Sequence, residues 1–284
     1  MSGTRWAFCT RKWCPTKLEW IHALSCVQEE ERCRVMKFVY RKDAKSALIG
    51  RLLLRKVLAE TTDIPYSDIK LGRTERGKPY LLNAKEDLYF NISHQGDFVV
   101  LAAESSVNVG IDVMKTEIKG NQTVAELFHT MRRQFTSYEW QTIQQRPSEP
   151  EQLEIFMRHW CLKESYVKAL GVGIGLLKKL QSIEFHIAPQ SIELDNETVV
   201  RDTKLYLDGK LCDDWCFEET KLDEDHQVVV ALQRSNFPEG KEAVESGSFT
   251  MLTIGDLLPP VPFLSVDEQL WKEFEAKRES PWNR

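Results

Sequence analysis

Apolar positions along this chain recur with two different spacings, and the change from one to the other marks the elements. Spacings of three and four residues predict helices over 19–28, 43–60, 124–131, 137–144 and 151–170. The helix over 43–60 carries a broad apolar stripe, and Asp43 is placed to cap it. The helix over 151–170 is followed by Gly171, a residue suited to end a helix.

Short apolar runs rich in β-branched residues predict the strands. They lie at 69–71, 79–82, 89–92, 98–103, 108–113, 183–187, 203–207, 215–219 and 227–232. Helices and strands do not alternate regularly, which favours an α+β fold over a doubly wound sheet. The segment 249–258 is expected to dock as a last strand, with the Pro-rich end of the chain loosely held.

A short, weak sequence repeat suggests two similar half-domains. His94-Gln95 precedes the apolar run 99–102, and His226-Gln227 precedes the similar run 228–231. The polar segment 236–248 has the composition of a linker. We therefore expect an N-terminal half-domain over 1–107, a C-terminal half-domain with the chemical site over 108–235, and a linker with an extension over 236–284.

Composition is that of an ordinary soluble globular protein, with 42% hydrophobic and 29% charged residues among 284. The longest apolar stretch, 48–59, is interrupted by three basic residues, so no membrane span is predicted. Residues 1–11 lack the apolar stretch of a secretion signal. Seven irregularly spaced cysteines with no Cys-x-x-Cys pair fit reduced thiols better than a zinc site or a disulfide framework. A cytosolic location is expected.

Charge is unevenly distributed although the net charge is only −5. Residues 30–60 hold nine Lys or Arg against four Asp or Glu, whereas residues 213–284 hold seven against sixteen. The basic stretch could attract phosphates or an acidic partner, with the helix over 41–56 as a docking surface, or it could be an ordinary solvated helix face. The acidic balance of the whole chain argues against nucleic acid binding.

Two short segments carry the clearest chemistry. Asp112 ends a β-branched run, where aspartate is disfavoured, and Glu164 lies four residues before Lys168 on one helix face. Taken alone, Glu164 and Lys168 are typical of a surface ion pair. If the two segments meet, however, they form a carboxylate pair that can hold magnesium beside a positive group, as phosphoryl transfer requires.

Two further segments could bind an anion. The glycine turn 73–79 holds arginine and lysine near backbone donors, which suits phosphate, although a plain hairpin turn would have the same sequence. The segment 91–95 leaves a strand with four hydrogen-bonding side chains, and His94 could equally be an ordinary surface histidine. The Gly-rich run 171–175 follows a helix, unlike nucleotide-binding loops, and serine-triad and zinc-protease motifs are not found in the sequence.

Taken in order, these motifs resemble those of the Sfp-type 4′-phosphopantetheinyl transferases. The segments that carry the resemblance are Arg76-Gly77-Lys78-Pro79, Asn91-Ile92-Ser93-His94, Gly110-Ile111-Asp112 and the run 160–168, WCLKESYVK. Met114, Gln95 after His94, and the helix entry 41–45 are features similar to those of the animal members. The resemblance implies two similar α+β halves related by a pseudo-twofold axis, with coenzyme A in the cleft between them.

The resemblance also implies an activity and a set of site residues. The phosphopantetheine arm of coenzyme A would pass to a serine of an apo acyl-carrier domain, with release of adenosine 3′,5′-bisphosphate. Asp112 and Glu164 would hold Mg²⁺, Glu164 would act as general base, and Lys168 and Lys78 would face the diphosphate. Binding of coenzyme A would also involve Arg34, Arg73, Thr74, Glu75, Arg76, Gly77, Asn91, Ile92, Ser93 and His94. Fatty acid synthase and a lysine-pathway enzyme, aminoadipate-semialdehyde dehydrogenase, would be carrier substrates, and the enzyme would be a cytosolic monomer.

One position departs from the family pattern and keeps other functions open. Many members have a second carboxylate where this chain has Met114, and a thioether is a poor magnesium ligand. Water or Gln95 could take that coordination position. The alternatives are a magnesium-dependent pyrophosphohydrolase, and a protein that binds coenzyme A or carrier domains with little or no turnover.

Overall fold

The computed structural model describes residues 3–75, 77–82, 88–105, 107–118, 120–171, 180–187, 198–234, 248–260 and 265–281. The helices are α1 (Lys17–Ser25), α2 (Glu29–Met36), α3 (Arg41–Thr61), α4 (Val124–Met131), α5 (Ser137–Gln144), α6 (Glu149–Leu170), α7 (Ile254–Leu257) and α8 (Gln269–Glu275). The strands are β1 (Thr4–Cys9), β2 (Leu71–Arg73), β3 (Pro79–Leu81), β4 (Tyr89–Gln95), β5 (Phe98–Glu104), β6 (Val109–Lys115), β7 (Ile183–His186), β8 (Lys204–Leu207), β9 (Lys210–Cys212), β10 (Trp215–Lys221), β11 (His226–Gln233) and β12 (Thr250–Met251). The mixture confirms the α+β class.

The chain divides into two compact units. We call Trp6–Asp87, Asp97–Leu101 and Thr250–Arg284 the helical unit. The sheet unit comprises Met1–Arg5, Leu88–Gly96 and Ala102–Phe249. No helix in the described ranges is both long enough and apolar enough to cross a bilayer.

Helix α3 forms the core of the helical unit, as its apolar stripe predicts. Leu48, Leu52 and Leu53 are fully buried on it. The helix begins at Arg41, after Tyr40, and has no side-chain cap. The prediction that Asp43 caps it is therefore wrong, because two further residues before Asp43 adopt the helical conformation.

The basic residues of α3 are bound within the helical unit. Arg51 pairs with Glu31 at 2.7 Å, and Arg55 donates to the carbonyl oxygen of Ile69 at 2.9 Å. Lys45 is also buried and lies 3.2 Å from the carboxylate of Glu279. This argues against the prediction that this helix docks an acidic carrier, because Lys45 and Arg55 are buried and present little charge to the surface of another protein.

The C-terminal residues pack onto the helical unit. Phe274 of α8 stacks on Trp20 with 3.7 Å between ring centroids, and Lys277 donates to the carbonyl oxygens of Met36 and Phe38 at the end of α2. The prediction of a loose end is therefore wrong for 265–281. The strand predicted over 249–258 is confirmed only at β12, which pairs in parallel with β1, whereas 254–257 is the helix α7.

The sheet unit is built on a three-stranded antiparallel sheet in the order β10-β11-β6. Asp112 of β6 pairs with Val229 of β11, so Gly110, Asp112 and Met114 share one face. Helix α6 lies against this face. A second small sheet has the order β7-β8-β9.

Gly110 explains how closely the helix and strand approach. A β-carbon at this position would lie 2.0 Å from the carbonyl oxygen of Ser165 and 2.4 Å from the nitrogen of Ala169. Helix α6 begins with a capping box between Ser148 and Glu151. It ends at Gly171, whose φ of 68° is left-handed, as its sequence predicts.

The two copies of the short sequence repeat do not occupy matching positions in the fold. His94-Gln95 ends β4, whereas His226-Gln227 begins β11. The pseudo-twofold relation between two half-domains stays a prediction.

Candidate functional site

Asp112 is a buried carboxylate with one satisfied and one unsatisfied oxygen. It is 2% exposed. Its Oδ1 accepts from Lys168 Nζ at 2.5 Å and from Ser93 Oγ at 2.7 Å. Its Oδ2 is buried and has no hydrogen-bond partner among the described residues. Because burying an unpaired carboxylate oxygen is costly, this atom is suited to receive a cation or a donor from a ligand.

Strand β6 and helix α6 bring the predicted chemical residues together. Glu164 and Lys168 are one helical turn apart on α6, and the close approach at Gly110 holds that turn against the strand that carries Asp112. A thiol hydrogen bond from Cys161 to the backbone oxygen of Asp112, at 3.3 Å, joins the same two elements. The predicted meeting of the two segments is therefore observed.

Glu164 has an unusual acidity for a helix glutamate. Burial and, to a smaller extent, the negative charge of Asp112 raise its pKa to about 7, although the positive charge of Lys168 acts in the opposite direction. The influence of Asp112 on Glu164 means that the two carboxylates are electrostatic neighbours. A glutamate that titrates near neutral pH can accept a proton under physiological conditions.

Strand β4 contributes polar groups to the same place. Ser93 Oγ accepts from Lys168 Nζ at 2.7 Å while donating to Asp112, so its hydroxyl links the ammonium to the carboxylate. Asn91 Nδ2 donates to the backbone oxygen of Lys168 at 3.3 Å, and Asn108 Nδ2 donates to that of Ala169 at 2.9 Å. These two amides bind carbonyls in the last turn of α6, where the regular helical hydrogen bonds run out. The carbonyl of Lys168 also accepts from the nitrogen of Gly171 at 3.2 Å.

The sequence reasoning missed part of this arrangement. The sequence predicts that Asn91 and Ser93 bind a ligand, but it does not predict their contacts with α6. It gives no role to Asn108. An asparagine directly before a strand is the only sequence signal for the contact that Asn108 makes, and this signal is weak.

The donor set fits a magnesium ion. Asp112 Oδ2 lacks a partner, and Glu164 is a second carboxylate whose pKa is raised by the charge of Asp112. Magnesium is usually held by one or two carboxylates together with substrate phosphates. Among the described residues there is no cluster of three His, Cys, Asp or Glu side chains. Gln95 Oε1 already accepts from the backbone nitrogen of Lys115 at 2.5 Å, which makes it a weaker candidate for the position at Met114.

The turn 73–78 and Arg34 belong to the helical unit. Gly77 has a φ of 81°, which favours glycine, and its nitrogen donates to Thr74 O at 2.8 Å. The nitrogens of Thr74 and Lys78 also donate within the turn. These three groups are therefore not open to an anion, contrary to the expectation of free backbone donors there.

The other residues predicted around the ligand differ in exposure. Burial lowers the pKa of Lys78. Arg34, Thr74, Glu75 and His94 are exposed, and Ile92 is half-buried. Arg76 and the Gly-rich positions 172–175 lie outside the described residues.

Comparisons with known proteins show the family of this chain. Residues 11–106 match the family model "4′-phosphopantetheinyl transferase, N-terminal", and residues 108–232 match the "4′-phosphopantetheinyl transferase superfamily". The chain is 43% identical to the human L-aminoadipate-semialdehyde dehydrogenase-phosphopantetheinyl transferase, over 99% of this chain and 94% of that protein.

More distant relatives carry similar names. The Xenopus laevis protein of the same name is 41% identical, over 100% of this chain and 95% of its own length. A 4′-phosphopantetheinyl transferase of Bacillus subtilis is 30% identical, over 77% of this chain and 88% of its own length. This chain therefore belongs to the 4′-phosphopantetheinyl transferase family.

Proposed function

We propose that this enzyme transfers the 4′-phosphopantetheine arm of coenzyme A to a serine of apo acyl-carrier domains through Asp112, Glu164 and Lys168. The observation that carries these residue roles is the group around Asp112, in which a lysine, a serine hydroxyl and a second carboxylate converge. In the reaction, the serine oxygen forms a bond to the phosphorus next to the pantetheine. The bond from that phosphorus to the adenosine phosphate breaks, and adenosine 3′,5′-bisphosphate leaves.

Glu164 is the proposed general base. It would take the proton of the incoming serine hydroxyl, and its pKa of about 7 keeps a substantial ionised fraction at neutral pH. A bound cation would lower this pKa, so the base role also depends on the proximity of Glu164 to the hydroxyl.

Lys168 is the proposed electrostatic partner of the diphosphate. Its ammonium is held by Asp112 and Ser93 and is partly exposed, which leaves donor capacity for a phosphate oxygen. Lys78 is proposed to face the same diphosphate. Magnesium bound to Asp112 and Glu164 would supply neutralisation of charge on the phosphate oxygens.

The adenosine end of coenzyme A is assigned to the remaining residues. Arg34, Arg73 and His94 would bind its phosphates through their side chains, next to the segments 73–78 and 91–94. The positive charge of Arg34 and Arg73 supports this assignment, because charge-assisted hydrogen bonds from guanidinium groups to phosphate oxygens are strong.

The carrier substrates, the cellular location, the oligomeric state and the domain boundaries are proposed as well. The name of the human relative supports aminoadipate-semialdehyde dehydrogenase as one carrier substrate, and fatty acid synthase is proposed as another. We also propose a cytosolic monomer with half-domains over 1–107 and 108–235 and an extension over 236–284. The two family models, which meet between residues 106 and 108, support the first boundary.

The test measures labelled phosphopantetheine on an apo carrier domain in the presence of Mg²⁺. Asp112→Asn should reduce transfer by at least roughly a hundredfold, because it removes the carboxylate on which the site is built. Asp213→Asn changes an exposed aspartate of the same unit and should leave transfer unchanged.

Other outcomes would favour the alternative functions. Release of adenosine bisphosphate without a carrier would indicate a pyrophosphohydrolase. Tight binding of coenzyme A without product would indicate a binding protein.

A further inference from the structure

Glu31 is a buried carboxylate that binds two arginines in the helical unit. It lies on α2 and is 4% exposed, whereas Glu29 and Glu30 beside it are exposed. Its Oε1 accepts from Arg73 Nε at 3.2 Å and from Arg73 Nη2 at 3.1 Å. Its Oε2 lies 3.0 Å from Arg73 Nη2 and 2.7 Å from Arg51 Nε. One carboxylate therefore aligns two guanidinium groups.

Helix α2 also fixes the strand that carries Arg73. Gln28, one turn before Glu31, donates to the carbonyl oxygen of Leu71 at 3.1 Å and accepts from the nitrogen of Leu71 at 3.0 Å. Arg73 in turn donates from Nη1 to the carbonyl oxygen of Gly77 at 2.9 Å. Gly77 is thus tied to α2 through Arg73, and Glu31 is the anchor of that connection.

Positive charge around Glu31 exceeds what one carboxylate can neutralise. The pKa of Arg51 is lowered to about 10, mainly by burial; the charge of Glu31 opposes this shift, whereas the nearby charges of Arg73 and Arg34 contribute to it. Arg51 Nη1 is buried and has no hydrogen-bond partner among the described residues. Three guanidinium groups and one carboxylate leave two positive charges, which suits a ligand with phosphate groups.

We propose that Glu31 is a positioning residue for recognition of the adenosine phosphates of coenzyme A. It acts by holding Arg73 and Arg51 in fixed orientation beside Arg34 and by anchoring Gly77 through Arg73. The inference rests on the proposed function, which assigns Arg34 and Arg73 to this end of coenzyme A. Arg51 is added here as a third cation of that site.

The test is a binding measurement without metal or carrier. Isothermal titration calorimetry would compare adenosine 3′,5′-bisphosphate with adenosine 5′-monophosphate, since the ratio of their affinities reports recognition of the additional phosphate. Glu31→Gln should reduce that ratio by about tenfold, because a neutral amide cannot bind the guanidinium groups of both Arg73 and Arg51 as the carboxylate does. Glu30→Gln removes an exposed acid one residue away and should preserve the ratio.

A purely structural role of Glu31 predicts a different result. It would lower the melting temperature and leave the affinity ratio of the folded protein unchanged, and that outcome overturns the proposal. If Glu31→Gln does not fold, Arg73→Lys keeps the charge but cannot donate from two nitrogens at once. It should also reduce the ratio, and an unchanged ratio in Arg73→Lys would equally contradict the proposal.

The transfer assay separates this inference from the proposed function. If the wild-type protein modifies an apo carrier and Glu31→Gln retains the affinity ratio, only the role of Glu31 is wrong. If the wild-type protein modifies no carrier, the proposed function fails, and the inference fails with it.

Discussion

Gly110 of β6 lies so close to α6 that a β-carbon on it would be 2.0 Å from the carbonyl oxygen of Ser165. Both atoms that such a β-carbon would meet first are backbone atoms, so no side chain can move aside to admit it. Gly110 is two residues before Asp112 in β6, and Ser165 is one residue after Glu164 in α6. The spacing of the two elements that carry the site is thus set by the absence of a side chain at position 110.

Gly110→Ala is expected to move α6 away from β6. Overpacking of this kind typically costs about 1–3 kcal/mol of unfolding free energy, and the clash with rigid backbone places this variant at the upper end. Transfer activity should fall as well, because Asp112 and Lys168 would separate. Urea unfolding and the carrier assay measure the two effects.

Gly255→Ala is the matched control for that substitution. A β-carbon at Gly255 would meet its nearest atom, Thr253 Oγ1, at 3.7 Å, an ordinary contact. It should leave both stability and activity near wild-type values. Equal stability of the two alanine variants would contradict the role given to Gly110.

Sequence pattern predicted the elements well where apolar spacing was strong. The helices over 124–131 and 137–144 have the predicted bounds, and α6 ends at Gly171 as its sequence indicates. Helix α2 was not predicted, because six of its eight residues are charged or cysteine and its burial involves Glu31 as well as Val35. A polar helix held by ion pairs has no apolar period to detect.

The site was predicted in part for a similar reason. Asp112 is conspicuous because aspartate is unusual in a buried strand, and Glu164 and Lys168 share a helix face. Local sequence could not reveal that Lys163, adjacent to Glu164, is fully buried and paired with Glu139 at 2.9 Å. Nor could it show that Arg51 is committed to Glu31. Both facts depend on contacts between residues distant in the chain.

Ser93→Ala tests the hydroxyl that links Lys168 to Asp112. Hydrogen bonds to charged groups contribute about 1.5–3 kcal/mol, so the rate of transfer should fall roughly tenfold to a hundredfold. Ser93→Thr keeps the hydroxyl and should restore much of the rate. Steady-state kinetics with an apo carrier would separate kcat from KM.

The control for Ser93 is Ser137→Ala, which changes an exposed serine of the same unit. A Ser93→Ala enzyme with wild-type kcat would show that Lys168 and Asp112 need no shared partner.

Met114→Glu tests the position at which this chain departs from the family pattern. Met114 shares a sheet face with Asp112 and is partly exposed, so a carboxylate there can reach the same cation. We expect transfer to be retained and the Mg²⁺ concentration for half-maximal rate to fall by roughly threefold to tenfold, since affinity rises with ligand charge. Met114→Gln has a similar size without the charge and should show no such gain. A rise in the Mg²⁺ requirement of the glutamate variant would place the cation elsewhere.

Because His159 is buried, we expect the stability of the folded protein to depend on pH. It is fully buried beside Lys163 and Glu139, and neither ring nitrogen has a hydrogen-bond partner among the described residues. Burial lowers its pKa well below the ordinary 6.5, and the positive charges of Lys163, Arg158 and His186 lower it further. The unfolded chain therefore takes up a proton near pH 6.5 that the folded chain does not accept.

Because the unfolded state binds more protons, the free energy of unfolding should fall as the pH drops below 6.5. One histidine that stays neutral in the fold costs about 1.4 kcal/mol at pH 5.5 relative to pH 7.5. Between pH 7.5 and pH 5.5, the unfolding free energy of His159→Leu should therefore fall by about 1.4 kcal/mol less than that of the wild type. Urea unfolding at the two pH values measures both losses. His129→Gln removes an exposed histidine and should keep the wild-type dependence. Equal losses in wild type and His159→Leu would mean that water reaches the imidazole in the folded protein, since only a solvated ring could take up its proton as readily as the unfolded chain does.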